Sequence, residues 1–233
     1  MSPESDDSTR LNKYLALQLG ISRREADILI DTNTVLINDK PAIIGSRVVE
    51  GDNVKVAGRQ LQKESVAYQY IAFNKPRGYV CSRRAQGEND TIYALLPPAL
   101  HRLKPVGRLD KDSSGLILLT NDGDFAFRMT HPKFKKAKVY HVRLDHDLEP
   151  LHQQMVGDFG VDLEDGKSQL TLMRLNDTSS KEWEVTMSEG RNRQIRRTFA
   201  ALGYRVTRLH RVQFGNYSLG DMKRAAYEPV DMR

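Results

Sequence analysis

The residues best placed to do chemistry lie in Gly107-Arg108-Leu109-Asp110-Lys111-Asp112-Ser113-Ser114-Gly115. The apolar run Leu116-Ile117-Leu118-Leu119-Thr120 follows, closed by Asn121-Asp122-Gly123-Asp124. A short continuous apolar run between turn signals predicts a buried strand. Asp110 therefore sits in a Gly- and Ser-rich loop that feeds a core strand. Arg108 and Lys111 flank it and favour its ionised form, while nearby apolar surface opposes charge. On spacing alone, Asp110 and Asp112 read first as turn residues bonding their own backbone.

A second stretch is Glu189-Gly190-Arg191-Asn192-Arg193-Gln194-Ile195-Arg196-Arg197. It predicts a helix capped by Asn192 and ending at Gly203, with Ile195, Phe199 and Leu202 facing the core. Arg193, Arg196 and Arg197 then share a face. They repel one another unless an anion or a carboxylate sits between them, or unless all three point into water.

The elements that must position these residues follow from patterning. Tyr140, Val142 and Leu144 alternate with His141 and Arg143, and Trp183, Val185 and Met187 with Glu182, Glu184 and Thr186. Both runs predict half-buried strands. Val66–Phe73 predicts another, Asn74-Lys75-Pro76-Arg77-Gly78 a turn, 82–91 a polar mobile loop, and Thr91–Leu96 a short helix. Asp124–Thr130 also predicts a helix. Several strands with few helices give an α+β domain with a mixed, mainly antiparallel sheet.

The front of the chain reads as a separate small α/β module. Leu11, Leu15 and Leu19 form a helical stripe ended by Gly20. Ser22-Arg23-Arg24-Glu25 is a capping box for a second helix that turns Ala26, Leu29 and Ile30 inward. Arg23 and Arg24 in its first turn oppose the helix dipole. Either they hold a phosphate with the free backbone amides, or they point into water. Val35–Ala42 predicts a strand and turn, and Asp52–Val56 a closing strand. The expected organisation is a module over 1–60 with 1–8 disordered, a linker at 61–65, and a second domain over 66–233.

The chain has 233 residues and a net charge of +6, from 36 basic and 30 acidic side chains. Residues 1–64 carry a net −1 and 65–233 a net +7. Seven Arg and no acid lie between Gly190 and Arg211, and five basic residues and no acid between Lys133 and Arg143. Such clusters suit a polyanion, most simply nucleic acid, and Arg dominance favours phosphate over a merely solvated surface. Cys81 is the single cysteine, and the six His lack metal-ligand spacing, so no metal is expected. No apolar run reaches the ~20 residues of a membrane span, and Met1–Arg10 lacks a signal-peptide pattern. A cytoplasmic location is expected.

Two resemblances build on these residues. Arg10-Leu11-Asn12-Lys13-Tyr14, Ser22–Ala26 and Val35–Asn38 resemble the S-four RNA-binding module, named for a small-subunit ribosomal protein. That resemblance implies that Arg10, Lys13, Arg23 and Arg24 face RNA. Asn74-Lys75-Pro76, Gly107–Gly115, Lys138-Val139-Tyr140, and Gly190–Arg197 with Leu209–Gly215 together resemble the RsuA-type ribosomal RNA pseudouridine synthases. Arg108–Ser113 and Ser22–Asp27 look nearest to the RluF branch. Thr198 departs from the Met that many relatives carry there.

The resemblance implies isomerisation of a specific uridine in RNA, large-subunit ribosomal RNA ahead of small, with tRNA as a further candidate. It implies no cofactor, which agrees with the lack of a phosphate-loop or dinucleotide motif. Asp110 is then the essential carboxylate, attacking the ribose, adding to the base or abstracting a proton. Arg196 would pair with Asp110. Tyr140, which without the family reads as a core aromatic, would stack on a target base turned out of its stack. Lys75, Arg108, Lys111, Arg193 and Arg197 would meet phosphate. A monomer is expected. The alternatives are a non-catalytic RNA-binding or ribosome-assembly factor using the same basic face, and another RNA-modifying enzyme such as a methyltransferase, against which the lack of a glycine-rich cofactor loop argues.

Overall fold

The structure is a computed structural model that describes residues 8–61, 67–83 and 87–232. Residues 1–7 of the expected disordered start, 62–65 of the expected linker and 84–86 of the expected mobile loop lie outside the described residues. The chain divides into two compact units, Met1–Ala67 and Tyr68–Arg233.

In the first unit, helices α1 (Leu11–Leu19) and α2 (Arg23–Asp31) precede strands β1 (Val35–Ile37) and β2 (Val54–Val56), which pair antiparallel. The capping box of α2 is complete. Ser22 Oγ accepts from the Glu25 amide, and the Ser22 amide donates to Glu25 Oε2. Leu11, Leu15, Ala26, Ile30, Val35 and Val54 form the core. Leu19, expected inward, is 37% exposed because it occupies the last turn before the left-handed Gly20. Arg10, Arg23 and Arg24 are exposed and Lys13 is half-buried.

The second unit is built on a mixed sheet. Its strands are β3 (Tyr70–Lys75), β4 (Lys104–Val106), β5 (Ser114–Thr120), β6 (Lys138–Leu144), β9 (Thr171–Arg174), β10 (Glu182–Met187), β11 (Val206–Phe214) and β12 (Tyr227–Pro229). A separate hairpin joins β7 (Val161–Leu163) to β8 (Gly166–Ser168). The path across the sheet is β9-β10-β6-β11-β5-β3-β12, with β4 also on β5. Helices α3 (Gly123–Thr130), α4 (Pro150–Gln154) and α5 (Gln194–Ala200) complete the unit.

The run after Asp110 is apolar throughout because β5 is covered on both faces. Ile117 and Leu119 join one core with Phe73, Trp183, Ile195 and Phe199. Leu116 and Leu118 join another with Phe125, Met129 and Phe214.

One pairing decides the geometry of the site. β11 runs parallel to the start of β5, with His210 opposite Ser114 and Arg211 opposite Gly115. Every other pair in this sheet is antiparallel. A Cβ on Gly115 would lie 2.2 Å from the Arg211 carbonyl oxygen, and its φ is +104°. Only glycine fits there without moving backbone. The loop carrying Asp110 is thus closed against β11, about a hundred residues away in the chain.

Candidate active site

Asp110 and Asp112 lie in the loop between β4 and β5. Lys75, the last residue of β3, fixes that loop from beneath. It is fully buried, and its ammonium donates to the carbonyls of Pro76, Asp110 and Ser113 at 3.0, 3.0 and 2.8 Å. Three donors meet three acceptors, so none remains for phosphate. This corrects the expectation that Lys75 contacts RNA. Burial pulls its pKa down, opposed by the charges of Asp110 and Asp112 among others. The expected turn is present at Arg77–Gly78, while Asn74 and Lys75 end the preceding strand.

The Asp110 carbonyl accepts from the Ser113 amide at 3.1 Å, which closes the turn. Among the described residues the Asp110 carboxylate makes no bond to that turn. Its partner is Arg193, whose Nη1 lies 3.5 Å from Oδ2. Asp112 receives both Arg193 amino groups at 3.1 Å and sits 3.3 Å from Arg196 Nε. Burial raises the Asp112 pKa, but the Arg193 hydrogen bond and the charges of Arg196 and Arg193 outweigh it, and the net shift is downward.

The arginines are therefore distributed differently from the expected Arg196–Asp110 pair. Arg196 is anchored to backbone, donating to Val206 O at 2.8 Å and Asp112 O at 3.1 Å. Its carboxylate is Asp112. Burial lowers its pKa, and Asp112 resists that shift. Arg193 stands between the two aspartates. Its φ of +46° is left-handed, and it caps α5 without a side-chain bond. The helix starts at Gln194 rather than near Asn192, and this strained backbone keeps Arg193 beside the loop instead of in the helix. Arg197 does not reach the loop. It makes a two-point pair with Asp165 of the β7–β8 hairpin at 3.0 and 2.7 Å.

Tyr140 is 8% exposed and lines a pocket of about 440 Å³. Gly107, Arg108, Asp110 and Arg193 line the same pocket. The structure thus brings Asp110, Tyr140, Arg108 and Arg193 together, with Arg196 behind the loop. Lys111 is exposed and bonded to Asn89. Arg10, Lys13, Arg23 and Arg24 belong to the other unit.

Sequence reasoning overlooked three contributors. Arg191 clamps the β7–β8 hairpin through Asp165, Gly166 and Lys167. Gln194 is buried and binds Ser168 and Glu189. Arg211 is buried in the pocket wall. Arg191 and Arg211 were visible as members of an arginine-rich stretch and of the family motifs, without a role of their own. Thr198 is buried and bonds Ser168 Oγ at 2.7 Å and Gln194 O at 2.9 Å, contacts a Met could not make.

The pocket sets the half-exposed Asp110 carboxylate, with Glu189 also in the lining, beside an aromatic wall and an arginine rim. The family model for RNA pseudouridylate synthase matches residues 69–201. The chain is 35% identical to "Ribosomal small subunit pseudouridine synthase A" of Yersinia pestis, over 95% of this chain and 94% of that one. It is 39% identical to "Dual-specificity RNA pseudouridine synthase RluF" of Salmonella typhi, over 92% and 73%. A solved structure titled "Crystal structure of pseudouridylate synthase" superposes with a TM-score of 0.68 at 32% identity, covering 95% and 96% of the two chains. The chain belongs to the RNA pseudouridylate synthase family, in the group that holds RsuA, RluB and RluF. It is an isomerase, and its α+β fold is that of the family.

Proposed function

We propose that the protein converts a specific uridine of ribosomal RNA to pseudouridine, large-subunit RNA ahead of small-subunit RNA and with tRNA as a further candidate. Asp110 is the essential carboxylate, Tyr140 the wall on which the target base rests, and Arg193 and Arg196 its cationic support. The observation that carries this reading is Asp110: a carboxylate left unspent by its own turn, in a pocket with Tyr140, facing Arg193. In the reaction the C1′–N1 bond breaks and C1′–C5 forms. The C5 proton is released to solvent and N1 gains one, so the product is an isomer and no co-reactant is consumed. A base must leave its stack to enter such a pocket. Nearby arginines would hold the flanking phosphates.

The front unit supplies RNA affinity as an S-four-type module. Its helix pair, with Arg10, Arg23 and Arg24 exposed, supports that assignment. The RluF branch is favoured by the Arg108–Ser113 stretch, and the Yersinia pestis relative makes small-subunit RNA the first alternative to test.

The test is release of tritium from RNA labelled at uridine C5, beside RNA affinity. Asp110→Asn should abolish release while binding survives. Wild-type turnover in that variant would overturn the assignment. Pseudouridine mapping in both ribosomal RNAs, with and without the gene, identifies the substrate.

A further inference from the structure

The β6–β11 ladder places two cations in the pocket wall that the reading above does not use. Lys138 and Tyr140 are two residues apart on β6 and share a face. Tyr140 pairs with Arg211 immediately after a register shift, and Lys138 pairs with Phe214. Such irregularities re-aim side chains beside active sites. Lys138, Tyr140, Arg211 and Phe214 all line the same pocket.

Arg211 is 2% exposed. Its Nε donates to Leu116 O at 2.7 Å. Its Nη2 is buried with no hydrogen-bond partner among the described residues. Lys138 Nζ gives one bond, to Glu189 O at 3.1 Å. Both cations lie against one ring, Lys138 Nζ at 5.4 Å and Arg211 Cζ at 4.8 Å from the Phe214 centroid. Neither has a carboxylate within ion-pair distance among the described residues. Glu189, the carboxylate that bears on Lys138, lies 3.3 Å from Arg191. Burial and then the charge of Arg211 lower the Lys138 pKa.

Buried charges are ordinarily paired, and a stranded guanidinium N–H is costly. One aromatic face offsets only part of that cost. A neutral uracil carbonyl would satisfy the stranded donor but leave two like charges facing each other. A phosphate oxygen pair satisfies both, and guanidinium forks suit it. We propose that Lys138 and Arg211 form a phosphate subsite that takes the phosphodiester attached to the target nucleotide, next to the base at Tyr140. The proposal rests on the reading of Tyr140 as the wall for that base. The subsite anchors the flipped nucleotide by its own backbone, independently of the RNA sequence around it.

The experiment uses the full chain with uridine, uridine 5′-monophosphate, uridine 3′-monophosphate and inorganic phosphate as probes. Binding is followed by NMR on the ¹⁵N-labelled arginine side chains, so that the Arg211 signal localises it. At least one monophosphate should bind about tenfold or more tighter than uridine and shift Arg211, as a charge-assisted contact predicts. Inorganic phosphate should compete with it. Lys138→Met should cut the advantage to about twofold or less, and Lys138→Arg should restore it, which separates lost charge from lost fold. Equal binding of uridine and both monophosphates, or a full advantage in Lys138→Met, would overturn the subsite. The two readings fail separately. A wild-type enzyme that forms pseudouridine without phosphate discrimination refutes only the subsite. Discrimination without pseudouridine formation refutes only the reaction.

Discussion

Replacing Lys75 by Met keeps the length and apolar stem of the side chain and removes only the ammonium. Three carbonyls, on Pro76, Asp110 and Ser113, then lose a charged donor at 3.0, 3.0 and 2.8 Å. The Asp110 carbonyl keeps the Ser113 amide, so two buried acceptors are stranded, at about 1–3 kcal/mol each. Two terms oppose this. The variant no longer desolvates an ammonium, and water can reach the half-exposed Asp110 end. A net loss of about 2–4 kcal/mol remains, against a typical total of about 5–15. The variant should therefore fold, with a melting point lower by roughly 5–15 °C. Trp183 is the single tryptophan and is fully buried in the second unit, so its fluorescence reports that unit alone in urea. The midpoint should fall with an unchanged slope. Turnover should fall too, because the loop that aims Asp110 loses its floor. RNA affinity and its salt dependence should hold. A wild-type midpoint would refute the buried-anchor reasoning. A salt slope flattened by about 0.7 would show that the ammonium touches a phosphate after all.

Arg196→Ala should lower turnover far more than Arg197→Ala in single-turnover assays. Arg196 is mostly buried and holds the Val206 and Asp112 carbonyls, each costing about 1–3 kcal/mol if stranded, whereas Arg197 serves a surface pair worth about 0–1 kcal/mol. Equal losses would count against the assignment. For pH, the Asp112 carboxyl is held below its ordinary 3.8, so its ionised form stabilises the native loop above that value. That contribution disappears as pH falls through the depressed native value. An acid-unfolding titration should show less loss below pH 3.8 in Asp112→Asn than in wild type, and identical profiles would remove Asp112 from the account. Finally, Arg23→Ala with Arg24→Ala should weaken binding of a long ribosomal RNA fragment and flatten its salt dependence by about 0.7 per lost contact. The chemical step at saturating enzyme should change little. A collapsed chemical step with intact affinity would place the module in the active site.

What the sequence by itself determined was local or periodic. The capping box at Ser22, the alternation through Tyr140 and Trp183, and the apolar run after Asp110 each follow from rules spanning a few residues. They were legible because neighbours in sequence decide them. The motif set carried the family, and with it the candidacy of Asp110 and Tyr140. Only the tertiary structure decided which charges meet. Periodicity says which face a residue occupies but not which residue stands across from it, since that depends on register. The parallel β5–β11 pairing brings Arg211 onto Gly115, and α5 with the residue before it brings Arg196 and Arg193 to Asp112, across some eighty to a hundred residues of chain. Lys75 looked like a surface lysine in a Pro-Gly turn. It is buried because three backbone carbonyls from two loops converge on the end of its strand, a convergence with no signature near residue 75. That Arg197 pairs with Asp165 of the β7–β8 hairpin likewise had no local signature. Charge patterning fixed that the surface suits a polyanion, and folding chose which arginines were left to meet it.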